Sequence, residues 1–398
     1  MTTNNTTVNR NKIENPSNSS QIHEKIASSK SNHEISDSIR LLASILLGMS
    51  FGFLMNKANV YLAPTIRDQM LFKRFSMIKM FLAAVGMSML SVVVLILINN
   101  SIYQKVLHGF IQRNNRINAI QLTIGGMLIG IGMVLAGSCP GTVFVQIGSG
   151  LRNSLITSLG ASCGVLFYYI FLQNYLSKQD LSKSSIVLQQ LPDLIGRKRL
   201  SICLVFGLIF LGIAFLLEYL LPYHNNSIEP KDSLIINGWS PVLCGIGIGF
   251  LQLFFMICFE KSLGISTGFT VLVAQLCRIN LFKQFIPSLQ SFTSGVQNNI
   301  TLLFSLGAIL GSFISTVLSG NFPLNEKYGA NTFNSFLGGF FLLVGARCAG
   351  GCTSGQGISG FTHLLIGSFI ATAAMFGGGI FFAIAYGLLT GDWQFYAL

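Results

Sequence analysis

Ionised side chains are scarce in this 398-residue chain: 25 Lys and Arg with 13 Asp and Glu, 10% in all. A soluble domain carries about a quarter, so a soluble enzyme or binding module is excluded. Several chemical signatures are missing too. No Gly-x4-Gly-Lys-Ser/Thr loop is present, which excludes a nucleotide-driven pump of that type. No Cys-x-x-Cys pair and no cofactor motif occur. The Cys348/Cys352 pair has no second ligand pair at finger-like spacing, and His363 stands alone, so neither a metal site nor a cofactor is expected. No apolar signal-peptide core precedes residue 40. The eight cysteines lie in or beside apolar segments and none in the polar tail, unlike a secreted disulfide framework.

What is abundant is apolar length. The chain is 51% hydrophobic with a mean hydropathy of +0.62. Runs of about 20 apolar residues span a bilayer, and nine are present, roughly 39–55, 76–99, 118–136, 153–175, 198–222, 239–258, 299–319, 332–348 and 361–389. The fold class expected is therefore an all-α, multi-pass integral membrane protein. Two shorter apolar stretches, 140–151 and 264–277, read as re-entrant or half-helix pieces. The charged segment 57–79 reads as folding partly into the membrane. Residues 1–38, rich in Asn, Ser and Thr, are expected to be disordered. The pairs Gly245/Gly249, Gly307/Gly311 and Gly126/Gly130 suit close helix crossings. The net charge of +12 is a topology signal: a cytoplasmic N-terminus puts about twice as many Lys and Arg inside as outside. The expected home is the cell membrane, and nucleic acid is not an expected partner.

Two Gly-rich segments repeat at a constant offset of 213 residues. Gly125, Gly126, Gly132, Ala136, Gly137 and Cys139 meet Gly338, Gly339, Gly345, Ala349, Gly350 and Cys352. The offset divides the membrane part into a first repeat, 39–175, and a second, 223–398, joined by a linker loop and helix over 176–222. Equivalent spans are five crossings apart, so the second repeat should be inverted relative to the first. In that plan the binding site lies near the midplane, where the halves meet.

Each repeat carries a break. In Gly137-Ser138-Cys139-Pro140-Gly141-Thr142 the proline removes an N–H and clashes with the preceding turn. In the second copy, Gly350, Gly351, Cys352, Thr353, Ser354 and Gln356 lie in a run too rich in Gly and Ser for a comfortable helix. Irregular backbone at membrane depth is tolerated only where it is buried in protein or lines a cavity. Breaks at corresponding places point to a transporter binding site. A break exposes N–H groups and the positive end of the next half-helix, which suits an anion. Thr142, Thr353 and Ser354 add hydroxyl donors, and the two thiols suit a soft sulfur-bearing ion. Arg347 either attracts an anion, pairs with a carbonyl at the break or snorkels to the interface. Cys348 reads as core packing or as a supporting pore position. Ser266 and Thr267, after Glu260-Lys261, and Tyr61, in the corresponding early segment, are accessory lining candidates beside the reading of both as ordinary loops. Three functions remain open on the residues alone: an anion permease using the thiols, a channel for another small solute with incidental cysteines, and a membrane thiol oxidoreductase using Cys348 and Cys352.

At Gly137–Thr142 and again over Arg347–Gly360 the chain resembles the YeeE/YedE family of sulfur-transport membrane proteins, a likeness running roughly over 41–390. The resemblance implies a helical membrane protein of two pseudo-symmetric halves that passes thiosulfate or a related sulfur anion inward. It implies pore cysteines that hold the ion through weak S–H hydrogen bonds, a role falling to Cys139 and Cys352. It leaves a cytoplasmic sulfur-handling partner open. Two departures stand out. The family commonly has His where this chain has Gln356. Thiosulfate-uptake members carry an early-loop cysteine in the region of Val60-Tyr61, where this chain has none.

Overall fold

The computed structural model describes residues 16–115, 117–176, 185–196, 198–223, 238–279, 284, 286–323, 329–391 and 393, with side chains from residue 36 onward. The long helices are α1 (Pro16–Lys57), α3 (Ser76–Asn114), α4 (Ala119–Ala136), α6 (Ser154–Leu176), α7 (Arg199–Leu220), α8 (Pro241–Phe259), α10 (Val296–Leu318), α11 (Thr332–Cys348) and α13 (Ile366–Thr390). Between them lie short pieces, α2 (Ala63–Met70), α5 (Thr142–Gly148), α9 (Thr267–Ala274) and the wide-turned α12 (Thr353–Gly360). Among the described residues, eight helices are long and apolar enough to cross a bilayer. A ninth crossing arises if α11 and α12, bent by 44° across a short break, count as one span. The expected short pieces 140–151 and 264–277 coincide with α5 and α9. Within the charged segment 57–79, all eight residues of α2 are buried in the protein, whereas Phe72 and Lys73 are exposed.

Two boundaries differ from the sequence reading. The polar tail is helical from Pro16, inside the stretch expected to be disordered. Once a span is nucleated, extension adds one hydrogen bond per residue fixed, so a polar flank can continue the helix. Residues 1–15 lie outside the described set. The helix α3 extends beyond its span to Asn114, with a break at Asn99 (φ −154°, ψ 88°). The Asn99 side chain accepts from the Ile102 N–H at 3.2 Å and so restarts the helix.

Helix directions follow from paired contacts. The helices α1 and α10 run side by side: Asn56 donates to Ser312 (3.1 Å) and Thr316 (3.0 Å), and Lys57 to Ser319 (2.8 Å). The helices α3 and α8 run side by side in the opposite sense. Gly245 abuts Met80 and Gly249 abuts Ala84, while the Trp239 N–H donates to the Lys57 carbonyl at the start of α8. The face where α1 enters the bundle is called the tail face below. The ends of α3 and α8 also lie on it, since Arg40 of α1 donates to the Cys258 carbonyl at 3.1 Å and Lys105 pairs with Glu260 at 3.1 Å, and α11 ends toward the same side, where Arg347 shares a cavity with Arg113 and Lys261. Inside, α4 packs on α11 and on α13 through glycine seams. The outer surface is an apolar belt, with Leu97, Phe171, Phe333 and Phe381 each about 63–72% exposed, a pattern that only lipid accommodates. One buried ion pair, Lys79 to Glu218 at 2.7 Å, joins α3 to α7.

The three Gly-xxx-Gly pairs all sit at helix contacts, with backbone of the neighbouring helix where a Cβ would be. Glycines 212 and 377 have open space there instead. Thermal unfolding of the purified protein in detergent separates the two classes. Gly249→Ala should destabilise by about 1–3 kcal/mol through overpacking, and Gly377→Ala should stabilise by about 0.5–1 kcal/mol through helix propensity.

Candidate functional site

A membrane helix that stops at depth leaves carbonyls unpaired, and no water is there to satisfy them. Both Gly-rich breaks face this demand, and both meet it in the same way. The helix α4 ends on Gly137 in the left-handed conformation (φ +59°), a conformation that glycine adopts without the Cβ clash other residues suffer. A Cβ there would also overlap Ala63 of α2. The Gly137 carbonyl is taken by the side-chain amide of Gln146, which donates to it at 3.0 Å and to the Tyr61 carbonyl at 2.7 Å. The helix α11 ends on Ala349, followed by Gly350 at φ +66°. Here the Gln356 amide donates to the Ala349 carbonyl at 2.8 Å and to Asn114 at 2.9 Å, and its oxygen accepts from Ser368 at 2.8 Å. Each break is therefore stitched by one buried glutamine.

The stitched breaks present the thiols. Cys139 is 6% exposed and Cys352 fully buried. The Cys139 sulfur accepts from the Thr142 N–H and lies within 3.4 Å of the Thr142 hydroxyl, which also reaches the Cys139 carbonyl at 3.0 Å. The Cys352 sulfur lies 3.1 Å from the Ser354 hydroxyl and within bonding reach of the Ser266 hydroxyl and of the Gly355 and Ser266 N–H groups. Thr142 thus stands against the Cys139 sulfur and Ser354 against the Cys352 sulfur, each within hydrogen-bonding reach.

One loop lies against both breaks. Residues 262–266, between α8 and α9, are pinned by the second break: Ser359 donates to the Leu263 carbonyl (2.7 Å), Ser262 pairs with His363 (2.6 Å), and the Ile265 N–H reaches Ser354 at 3.5 Å. The side chain of Ile265 faces the first break, with its Cδ1 3.3 Å from the position a Gly141 Cβ would take. The Cys139 sulfur is 3.8 Å from that same position. Gly141, Gly264 and Gly355 differ from the seam glycines, for no backbone of a packed helix stands within 3.4 Å of where their Cβ would be. Their small size keeps space open around Ile265.

On the tail side of Ile265 is a cavity of about 370 Å³ lined by Arg113, Lys261, Arg347, Tyr169, Ile265 and Thr267, among others. Arg347 does not cap a helix carbonyl, one of the roles open to it from sequence. Its Nη2 donates to Ser266 at 2.7 Å, because the 44° bend after α11 turns the helix end toward the 262–266 loop.

The structure thus brings Cys139, Gly141, Thr142, Cys352, Ser354, Ser266 and Arg347 around one loop, with Thr267 in the cavity wall. It gives Gln356 and Gly137 scaffolding parts and leaves Ser138 as a buried hydroxyl with no partner among the described residues. Tyr61 contributes its carbonyl to the Gln146 stitch. Cys348 is buried, and all eight cysteines are free thiols. No group of three or more His, Cys, Asp or Glu able to hold a metal occurs among the described residues. Sequence reasoning did not single out Gln146, Ile265, Arg113 or Lys261. A polar amide within the apolar run 142–148 was the available signal for Gln146.

The family described as Sulphur transport matches residues 57–381. The chain is 25% identical to the thiosulfate transporter TsuA of Spirochaeta thermophila, over 82% of this chain and 93% of that protein. It is 24% identical to the thiosulfate transporter TsuA of Escherichia coli, over 80% and 86% respectively. The chain belongs to the sulphur transport family, whose members are membrane transporters and not enzymes.

The stitches carry their own prediction. Gln146→Leu and Gln356→Leu should each destabilise by about 2–3 kcal/mol, because buried carbonyls lose their donors. Gln69→Leu should be neutral or stabilising, because the buried Gln69 amide has no partner among the described residues. Unfolding midpoints of the three variants in detergent test the contrast.

Proposed function

We propose that this chain is a permease for thiosulfate or a closely related sulfur anion, and that the ion passes Cys139 and Cys352 in turn as it rounds Ile265. The observation that carries the reading is the shared loop: Ile265 lies against Gly141 beside Cys139 and hydrogen-bonds to Ser354, which in turn contacts the Cys352 thiol. Two thiols at separate breaks would be incidental. Two thiols flanking one apolar residue suit successive holding positions. The names of the relatives support thiosulfate as the ion.

The chemistry follows from weak donors. A permeating ion must be held well enough to lose water, yet loosely enough to leave. Two buried thiols, each a weak donor, supply weak hydrogen bonds to a large, polarisable anion. A small anion with tightly held water gains less from such donors than it loses on desolvation. Ile265 closes the path to water when no anion displaces it, and the lack of side chains at Gly264 and Gly355 leaves it room to move.

The two halves act as inverted copies in this reading. The helix α1 packs on α10 of the second half, and α8 of the second half packs on α3 of the first, with the two pairs running in opposite senses. The tail face is cytoplasmic, supported by its larger share of Lys and Arg. With no Gly-x4-Gly-Lys-Ser/Thr loop in the sequence, any coupling comes from an ion gradient, the membrane potential acting through a co-transported cation, or a partner protein.

Uptake of radiolabelled thiosulfate in cells or proteoliposomes tests the proposal. Cys139→Ala and Cys352→Ala should each lower the rate at least about tenfold, the loss of a hydrogen bond to a charged group. Cys163→Ala, at a half-buried position away from the breaks, should transport as the wild type does. Unchanged uptake in both pore variants would reduce the thiols to incidental residues and leave a channel without a relay.

A further inference from the structure

The tail-side cavity has a charge balance that helix packing does not require. Arg113 from the end of α3, Lys261 from the turn after α8 and Arg347 from the end of α11 all line it, and no Asp or Glu does. The one carboxylate close by in sequence, Glu260, is turned to Lys105 instead. Among the described residues neither Arg113 nor Lys261 has a carboxylate partner. The three cations act on one another: Arg113 and Arg347 repel, and so do Arg113 and Lys261. Arg347 spends Nη2 on Ser266, and its Nε is buried with no hydrogen-bond partner among the described residues. Like charges gathered in a partly desolvated wall destabilise the protein unless something negative joins them.

We propose that this cavity is an anion-binding vestibule, in which Arg113, Lys261 and Arg347 hold the sulfur dianion on the tail side of Ile265. The proposal rests on the permease reading for the identity of the ion. The volume of about 370 Å³ has room for about ten waters, so the ion sits there with part of its hydration shell. Two guanidinium groups recognise its oxygens in the planar, forked manner that Arg brings to oxyanions. Asn298 and Thr301 in the wall already donate to the carbonyls of Ser291, Ser294 and Gln297, so the three cations carry the binding. Arg347 links the vestibule to the relay, since the Ser266 it holds adjoins Ile265, whose N–H reaches Ser354 beside the Cys352 sulfur. An anion drawing Arg347 away would loosen the loop that carries Ile265.

Lys261 gives the vestibule a pH signature. Burial, followed by the positive charges of Arg113 and Arg40, holds its ammonium down to about 8. Facing it are Arg113 from α3, Arg40 from α1 and Arg347 from α11, with Tyr168 and Tyr169 of α6 in the wall. Thiosulfate remains a dianion from pH 7 to 9, so a loss of affinity over that range reports the lysine.

Calorimetric titration of the purified full chain in detergent with sodium thiosulfate, and with sulfate as competitor, tests the site. The wild type should bind saturably at pH 7 and about tenfold more weakly at pH 9, where most of the lysine is neutral. Lys261→Arg should keep its pH 7 affinity at pH 9. Arg113→Gln should bind at least about tenfold more weakly, and Arg113→Lys should recover part of that loss, which separates lost charge from lost fold. The proposal is overturned if the wild type shows no saturable binding, if its affinity is the same at both pH values, or if Arg113→Gln binds as tightly as the wild type. The thiol relay fails separately: it falls if Cys139→Ala and Cys352→Ala transport normally while the vestibule still binds thiosulfate.

Discussion

A backbone carbonyl freed inside a bilayer has no water to turn to, and everything central to this protein depends on how two such carbonyls are answered. Gly137 and Ala349 end their helices at depth, and Gln146 and Gln356 donate to them. An unsatisfied group there costs several kcal/mol, enough to forbid the breaks. With the stitches in place the chain can stop a helix, turn on a left-handed glycine and present a thiol. The same glutamines tie each break to its surroundings, the first to the Tyr61 carbonyl and the second to Asn114 and Ser368. The two thiols are therefore held by the scaffold and do not ride on loose loops.

The remaining architecture keeps that scaffold closed to lipid and open to a path. Glycine seams bring α4 against α11 and α13 and bring α1 against α10, so the short buried pieces are walled in on several sides. Where backbone of a packed neighbour occupies the Cβ position, glycine serves packing. At Gly141, Gly264 and Gly355 it leaves room. The distinction matters because the chain has 42 glycines, and packing accounts for the seam positions. Ile265 has its side chain against the first break and its N–H on Ser354 of the second.

Much of this was legible in the sequence because it rests on local composition. Nine apolar runs were expected to cross, since hydrocarbon thickness dictates their length, and eight of the described helices are long and apolar enough, with a ninth if the bent pair counts as one span. The constant spacing between Cys139 and Cys352 marked the breaks, and Pro140 explained one of them by covalent geometry alone. The burial of α2 within 57–79 was visible as an awkward charge, although its solution was not. Arg67 of α2 donates to the Val134 and Leu135 carbonyls at the end of α4, a pairing 67 and 68 residues apart that no local pattern encodes. Gln146, Ile265, Arg113 and Lys261 were missed for the same reason. Their meaning lies in what faces them across the bundle. Gln356 was read as a pore residue, and its amide turned out to be committed to three neighbours. The helical continuation of the tail to Pro16 was missed because composition describes solvation, whereas a preformed span supplies the nucleus.

The central claim is that Cys139 and Cys352 line one anion path on either side of Ile265. Alkylation rates of the individual cysteines, read by mass spectrometry on the membrane-embedded protein with and without thiosulfate, address it directly. The account predicts that thiosulfate slows modification of Cys139 and Cys352 together, while Cys163 and Cys258 react at unchanged rates. Protection of only one thiol, or of neither, would contradict it.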